Sequence, residues 1–245
     1  YLPTVVNMYA MCGMRHMYEF GTTSEQLAWI KVAASHHAQY NPHAMLQNVV
    51  TVEDVINSPM VADPLHRNDC CVISDGGGAF VVVSKEIAAG LKRDTVTVLG
   101  HGEAPKHLNA GKIDLTFTGA RWSGPLAFEE AGVTPSDIDY ASIYDSFTIT
   151  VLLTLESLGF CGKGEGGAFV SNQRTAPGGD FPMNTQGGAL SYTHPGMFGI
   201  FTVIEAVRQI RGECGPRQVP DARVALCNGT GGTLSSTGTI ILGRD

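Results

Sequence analysis

Short apolar runs alternate with helix-patterned segments along almost the whole chain, and this alternation limits the fold more than any other feature. Residues 79–84, 95–99, 140–144, 223–226 and 237–242 read as strands. The first of these is a continuous apolar run, the pattern of a strand buried on both faces of a covered sheet. Between the strands lie helix patterns. Residues 3–20 carry apolar side chains at helical spacing, with the methionines expected as core filler. Thr22 to Glu25 reads as a capping box before a helix that Asn41-Pro42 ends near Gln39, and Thr51 to Asp54 repeats the signal before a shorter one. Residues 86–91, 124–132, 146–158 and 198–210 read as further helices. Turns are expected at 74–78 and 228–232, and loops at 104–117 and 162–179. Apolar strands alternating with helices predict an α/β layered fold.

Composition removes several function classes. A chain of 245 residues with 43% hydrophobic and 16% charged residues has enough apolar material for a core. No apolar stretch approaches the roughly 20 residues that cross a bilayer, so no membrane is expected. The 16 Lys and Arg residues are scattered among 23 acidic ones, a net charge of −7, which speaks against nucleic acid as a partner. The sequence begins at Tyr1 with no signal-peptide pattern, and its six cysteines show no C-x-x-C spacing. A reducing cytoplasm is the expected compartment, with the thiols as small buried apolar groups. His36, His37 and Asp69 make no recognisable metal set, and no metal is expected.

Three segments sit where chemistry gathers in α/β folds, at strand ends and in loops entering helices. They are Tyr144-Asp-Ser-Phe147, Asn184-Thr-Gln-Gly-Gly-Ala-Leu-Ser-Tyr-Thr-His-Pro195 and Cys227-Asn-Gly-Thr-Gly-Gly232. His194 and the tyrosines supply proton-transfer groups, and backbone N–H groups of a glycine turn can face an oxyanion. Taken singly, each has an ordinary reading as an anchor or a turn. No phosphate loop or dinucleotide fingerprint is present.

Taken together, the segments carry a resemblance. Asn184-x-x-Gly187-Gly188-x-Leu190-Ser191-x-x-His194-Pro195 resembles the signature that thiolases carry around their active-site histidine, and Cys227-x-Gly229-x-Gly231 resembles their C-terminal signature, which holds an acid/base cysteine. Arg15 to Leu27, Asp63-Pro-Leu65 with Asp69-Cys-Cys71, and Thr134 to Asp139 look like the sterol carrier protein x, or lipid-transfer-protein, branch. The resemblance implies a thiolase-like layered fold (α/β/α/β/α) that here lacks most of the N-terminal half. Residues 1–93 would be the loop-domain remainder and last N-domain strands, and residues 94–245 the C-terminal domain. The segment of the thiolase nucleophile has no counterpart among the six cysteines.

Departures from the family pattern point to a particular chemistry. The family has His or Asn where this chain has Tyr144, its glycine before the histidine is Thr193 here, and Tyr192 stands one residue earlier. Thr233 replaces an expected glycine, which loosens the register of Cys227. Two tyrosines at this site resemble the steroid-degrading aldolases of the thiolase superfamily, which cleave a β-hydroxyacyl-CoA by a retro-aldol reaction without a nucleophilic cysteine. The resemblance then casts Tyr144 and Tyr192 as a proton-transfer pair. His194 and the N–H groups around Gly229 become oxyanion holders, and Cys227 a weaker acid/base candidate. It implies coenzyme A as part of the substrate thioester, with no permanently bound cofactor. It also implies a homodimer and a partner subunit with an OB-fold and a zinc-ribbon. The alternatives are a lipid-transfer-type 3-ketoacyl-CoA thiolase and a non-catalytic acyl-CoA-binding subunit.

Overall fold

Apolar side chains on alternate residues of a strand face opposite ways, and here both faces find helices. The computed structural model describes residues 4–106 and 114–244. Helices α1 (Val5–Phe20), α2 (Ser24–Ala38) and α3 (Val52–Ile56) lead to a small antiparallel pair, β1 (Met60–Ala62) and β2 (Leu65–His66). A short helix α4 (Lys85–Ala89) precedes β3 (Thr97–Pro105), α5 (Ala120–Ala131), β4 (Tyr140–Ile143), α6 (Thr148–Leu158), α7 (Gly166–Val170), α8 (Gly199–Ile210), β5 (Val224–Gly231) and β6 (Ser236–Gly243).

Strands β3, β6, β5 and β4 form one mixed sheet in that order, with β4 parallel to β5 and the other pairings antiparallel. Ala141, Ile143, Leu226 and Ile241 point into the main core with α5, α6 and the buried side chains of α1 and α2. Tyr140, Ala225, Cys227 and Leu242 point to the opposite face, against Ala206 and Ile210 of α8. Close approach of α5 to β3 requires Gly102, where a Cβ would run into the Ser123 carbonyl. On the other side of the core, His16 of α1 meets the Glu156 carboxylate of α6 at 3.0 Å.

Several sequence expectations change. Residues 79–84 form no strand: Val81 is 85% exposed and Val82 75%, because no neighbouring edge within the described residues pairs with them. The last N-domain strand expected there is therefore not formed. The α2 cap is Thr23 with Gln26, one residue beyond the expected Thr22 and Glu25. Thr22 is used elsewhere: its hydroxyl meets the buried His16 Nδ1 at 2.8 Å. The cap at Thr51 and Asp54 forms as expected. Met11 and Met14 are exposed rather than core filler. Residues 74–78 are irregular rather than a turn. The expected turn at 228–232 is instead the end of β5, which runs through Gly231. The loop at 162–179 contains α7. Of the expected loop at 104–117, residues 107–113 lie outside the described residues, and Ala104 and Pro105 belong to β3.

Candidate active site

The carboxyl end of β4 is where the site is assembled. Beyond Ile143 the chain leaves the sheet, and the Tyr144 N–H donates to the Asn228 carbonyl at 2.9 Å. The Asn184 side chain then clasps this end. The Ile143 N–H donates to Oδ1 and Nδ2 donates to the Ile143 carbonyl, both at 2.8 Å. A residue that mimics a strand neighbour in this way lays the whole 184–194 loop beside Tyr144. Asn184 has φ 52, a left-handed conformation that Asn tolerates better than most residues.

The next residue holds the loop from below. Asp145 is fully buried, and its carboxylate accepts from the Ala189 N–H at 2.6 Å and the Leu190 N–H at 3.2 Å. These belong to a π-helical turn, Gly188–Tyr192. Gly188 is required there: its φ is +64, and a Cβ would run into the Asp145 carboxylate. Lys31, buried on α2, donates to the Leu190 carbonyl at 2.7 Å and to Ser191 Oγ at 2.9 Å. Burial pushes Asp145 up to about 7, against the pull of its two N–H donors, and pushes Lys31 down to about 8.

On this frame Tyr144 and His194 meet. Tyr144 Oη lies 2.6 Å from His194 Nε2, and the rings stack 5.6 Å apart at an interplanar angle of 7°. Tyr144 also stacks on Phe198. The histidine backbone is fixed from a third segment, since its N–H donates to Ser74 Oγ at 2.9 Å and Ser74 also bonds Thr193 Oγ1 at 2.7 Å. Burial raises the Tyr144 phenol well above its ordinary value, and Cys71, Tyr9 and Asp145 push the same way. Burial lowers His194. Both groups are therefore neutral near pH 7. A half-buried phenol and a neutral imidazole sharing a short bond can pass a proton between them.

The other expected residues lie elsewhere. Tyr192 is not bonded to Tyr144 or His194. Tyr144 stacks on Phe198, Phe198 on Phe201, and Tyr192 meets Phe201 edge-on, so two phenylalanines stand between the tyrosines. The Tyr192 hydroxyl instead feels Arg208, Glu205 and Arg217. Gly229 is also unavailable. Because the Asn228 carbonyl accepts from Tyr144, the N–H of that same trans peptide, which is Gly229's, points the other way, toward Gly238 of β6. Cys227 sits inside β5 on the α8 face, with Sγ 3.5 Å from the Thr202 carbonyl and its thiol raised by burial. The expected grouping thus reduces to Tyr144 and His194. The residues that position them, Asn184 and Asp145, stood inside the motifs singled out above. Lys31 carried one unread signal: a charge on the same helix face as the buried Leu27 and Ser35.

A family description, Thiolase C-terminal domain-like, matches residues 102–244. The chain belongs to this thiolase family. Its relatives fall into more than one activity class. The thiolase-like chain is 40% identical to an acetyl-CoA acetyltransferase of Methanothermobacter thermautotrophicus, over 98% of this chain and 64% of the relative. It is 39% identical to a steroid side-chain-cleaving aldolase of Thermomonospora curvata, over 100% of this chain and 63% of the relative. Among solved structures, the Ltp2-ChsH2(DUF35) aldolase superposes with a TM-score of 0.92 at 36% identity, covering 100% of this chain and 64% of that one. The chain thus spans less than two thirds of the length of these relatives. Among the described residues, no helix is long and apolar enough to cross a membrane.

Proposed function

We propose that Tyr144 and His194 form the proton-transfer unit of a thiolase-superfamily retro-aldolase that cleaves a β-hydroxyacyl-CoA thioester. The observation that carries this reading is the 2.6 Å bond between a phenol and an imidazole that burial keeps neutral. The Tyr144 O–H donates to Nε2, which leaves the phenol oxygen able to accept the proton of a substrate hydroxyl. As that proton moves to Tyr144, the phenol hands its own to His194. The bond between the α and β carbons breaks, the β carbon becomes a carbonyl, and the electron pair enters the thioester as an enolate. The same pair returns its proton to the α carbon, so atoms and charge balance.

The thiols within this chain are not set up as nucleophiles. All six cysteines have pKa values raised by burial, Cys71 beside Tyr144 to about 12, so none is poised as a thiolate. The steroid side-chain-cleaving relative supports a steroid side chain as the acyl group, and the acetyl-CoA acetyltransferase relative supports coenzyme A as part of the substrate. The solved aldolase relative pairs with a DUF35 protein. By extension, this chain works in a homodimer with a partner subunit bearing an OB-fold and a zinc-ribbon. The acetyltransferase relative favours a second reading, acyl transfer through a covalent intermediate. Mass spectrometry of the full-length protein incubated with acyl-CoA separates the two. Release of a carbonyl product with no acyl adduct is expected, and an acylated protein that turns over with free coenzyme A would sink the aldolase reading.

A further inference from the structure

Backbone contacts, as well as their own bond, hold Tyr144 and His194 together. Asp145 directly follows Tyr144, and its carboxylate accepts from the Ala189 and Leu190 N–H groups of the turn that leads into His194. That contact closes the path from one reacting group to the other, so its strength bears on how firmly their 2.6 Å bond is held. The carbonyls of the same two turn residues are tied as well. The Val72 N–H donates to the Ala189 carbonyl at 3.0 Å, and Lys31 Nζ donates to the Leu190 carbonyl at 2.7 Å.

Leu190 is thus clamped between opposite charges, its N–H on a carboxylate and its carbonyl on an ammonium. Lys31 is 2% exposed and Asp145 fully buried, a setting in which either charge alone is costly. Among the described residues, their bonds run to the turn rather than to each other. Burial drives Asp145 toward the neutral acid and Lys31 toward the neutral amine, and each charge opposes that drift in the other. Cys71, from the segment after β2, and Tyr144 also face Asp145, and burial keeps both neutral near pH 7. Lys31 is therefore the charged side chain that favours the Asp145 carboxylate. A protonated carboxyl group carries a donor where the turn presents two N–H donors, and its remaining bonds lose their charge assistance.

We propose that Lys31 is a positioning residue for the Tyr144–His194 unit: its positive charge keeps Asp145 ionised, and the ionised Asp145 holds the 188–192 turn so that His194 meets Tyr144. The proposal rests on the reading of that pair as the reacting groups. It gives Lys31 an effect of charge, over and above the bonds that it donates.

The test is a pH titration of the full-length protein with two readouts. The methyl NMR signals of Ala189 and Leu190 report the turn without any reaction, and kcat for cleavage of a β-hydroxyacyl-CoA reports the reacting pair. In the wild type both are expected to change with one midpoint near the value of about 7 to which burial raises Asp145, with the higher kcat on the alkaline side. Lys31→Met keeps an unbranched chain and removes the charge. Its midpoint is expected to move to higher pH by about one unit or more in both readouts, which lowers kcat at pH 7 by about fivefold or more with KM little changed. Lys31→Arg keeps the charge and is expected to keep the wild-type midpoint. A wild-type turn that titrates only in the ordinary carboxylate range near roughly 4 would overturn the proposal, whether or not Lys31→Met folds. So would a Lys31→Met midpoint equal to the wild type's, or a Lys31→Arg midpoint that moves as far as that of Lys31→Met. A wild-type protein whose turn titrates as expected but which never cleaves the thioester counts against the aldolase reading and leaves the link from Lys31 to the turn supported.

Discussion

Two apolar segments of the chain meet opposite fates. Residues 79–84 and 140–143 are both strand-like in sequence, but Ile143 is fully buried while Val81 is 85% exposed. Strand β4 lies along β5 on one side and has a bridge from Ala141 to Met183 on the other, so its backbone groups are used in both directions. Residues 79–84 have no such edges among the described residues. β-propensity describes fitness for a pleated, half-buried surface, and that surface has to be supplied by neighbours. The bracing of β4 also explains why the candidate site stands at its end. Rigid placement of Tyr144 follows from the strand, the Asn184 clasp and the Asp145 carboxylate together.

The contrast can be broken at its functional end first. Tyr144→Phe should lower kcat/KM for β-hydroxyacyl-CoA cleavage by about 10²–10⁴-fold with the circular dichroism spectrum unchanged, and Tyr192→Phe should lower it less. Equal losses would restore the two-tyrosine pair expected from the sequence. Gly188→Ala comes next, because its methyl group meets the Asp145 carboxylate in a left-handed conformation. A loss of about 3 kcal/mol in denaturant unfolding is expected. Asn184→Ala leaves the Ile143 N–H and carbonyl without their partner and should cost about 2 kcal/mol by the same measurement. Val81→Ser, at the other pole of the comparison, should shift stability by less than about 0.5 kcal/mol. A larger shift would mean that the segment is packed against something.

The sequence carried the helices well because their ends are marked chemically. The Thr51 cap, and the stops at Gly132 and Gly159, are local events that need no distant partner. The family and the motifs that build the candidate site were legible for the same reason, since Tyr144, Asn184 and His194 lie in compact segments. What escaped was set by pairing across long separations. The direction of the Gly229 N–H depends on β4 accepting β5 as its parallel neighbour. The burial of Cys227 depends on α8 crossing that face. Tyr192 and Tyr144 belong to neighbouring motifs, yet the Phe198–Phe201 stack stands between their rings. Lys31 reaches a loop 160 residues away, which no local pattern announces.

The claim that Tyr144 and His194 act as one unit is tested most directly by a double-mutant cycle on retro-aldol cleavage, with Tyr144→Phe, His194→Gln and the double variant measured under single-turnover conditions. Groups that share one proton path lose their effect together. The double variant is expected to be no slower than the worse single variant, to within about threefold. Losses that multiply across the two positions would contradict a shared path and place Tyr144 and His194 in separate roles.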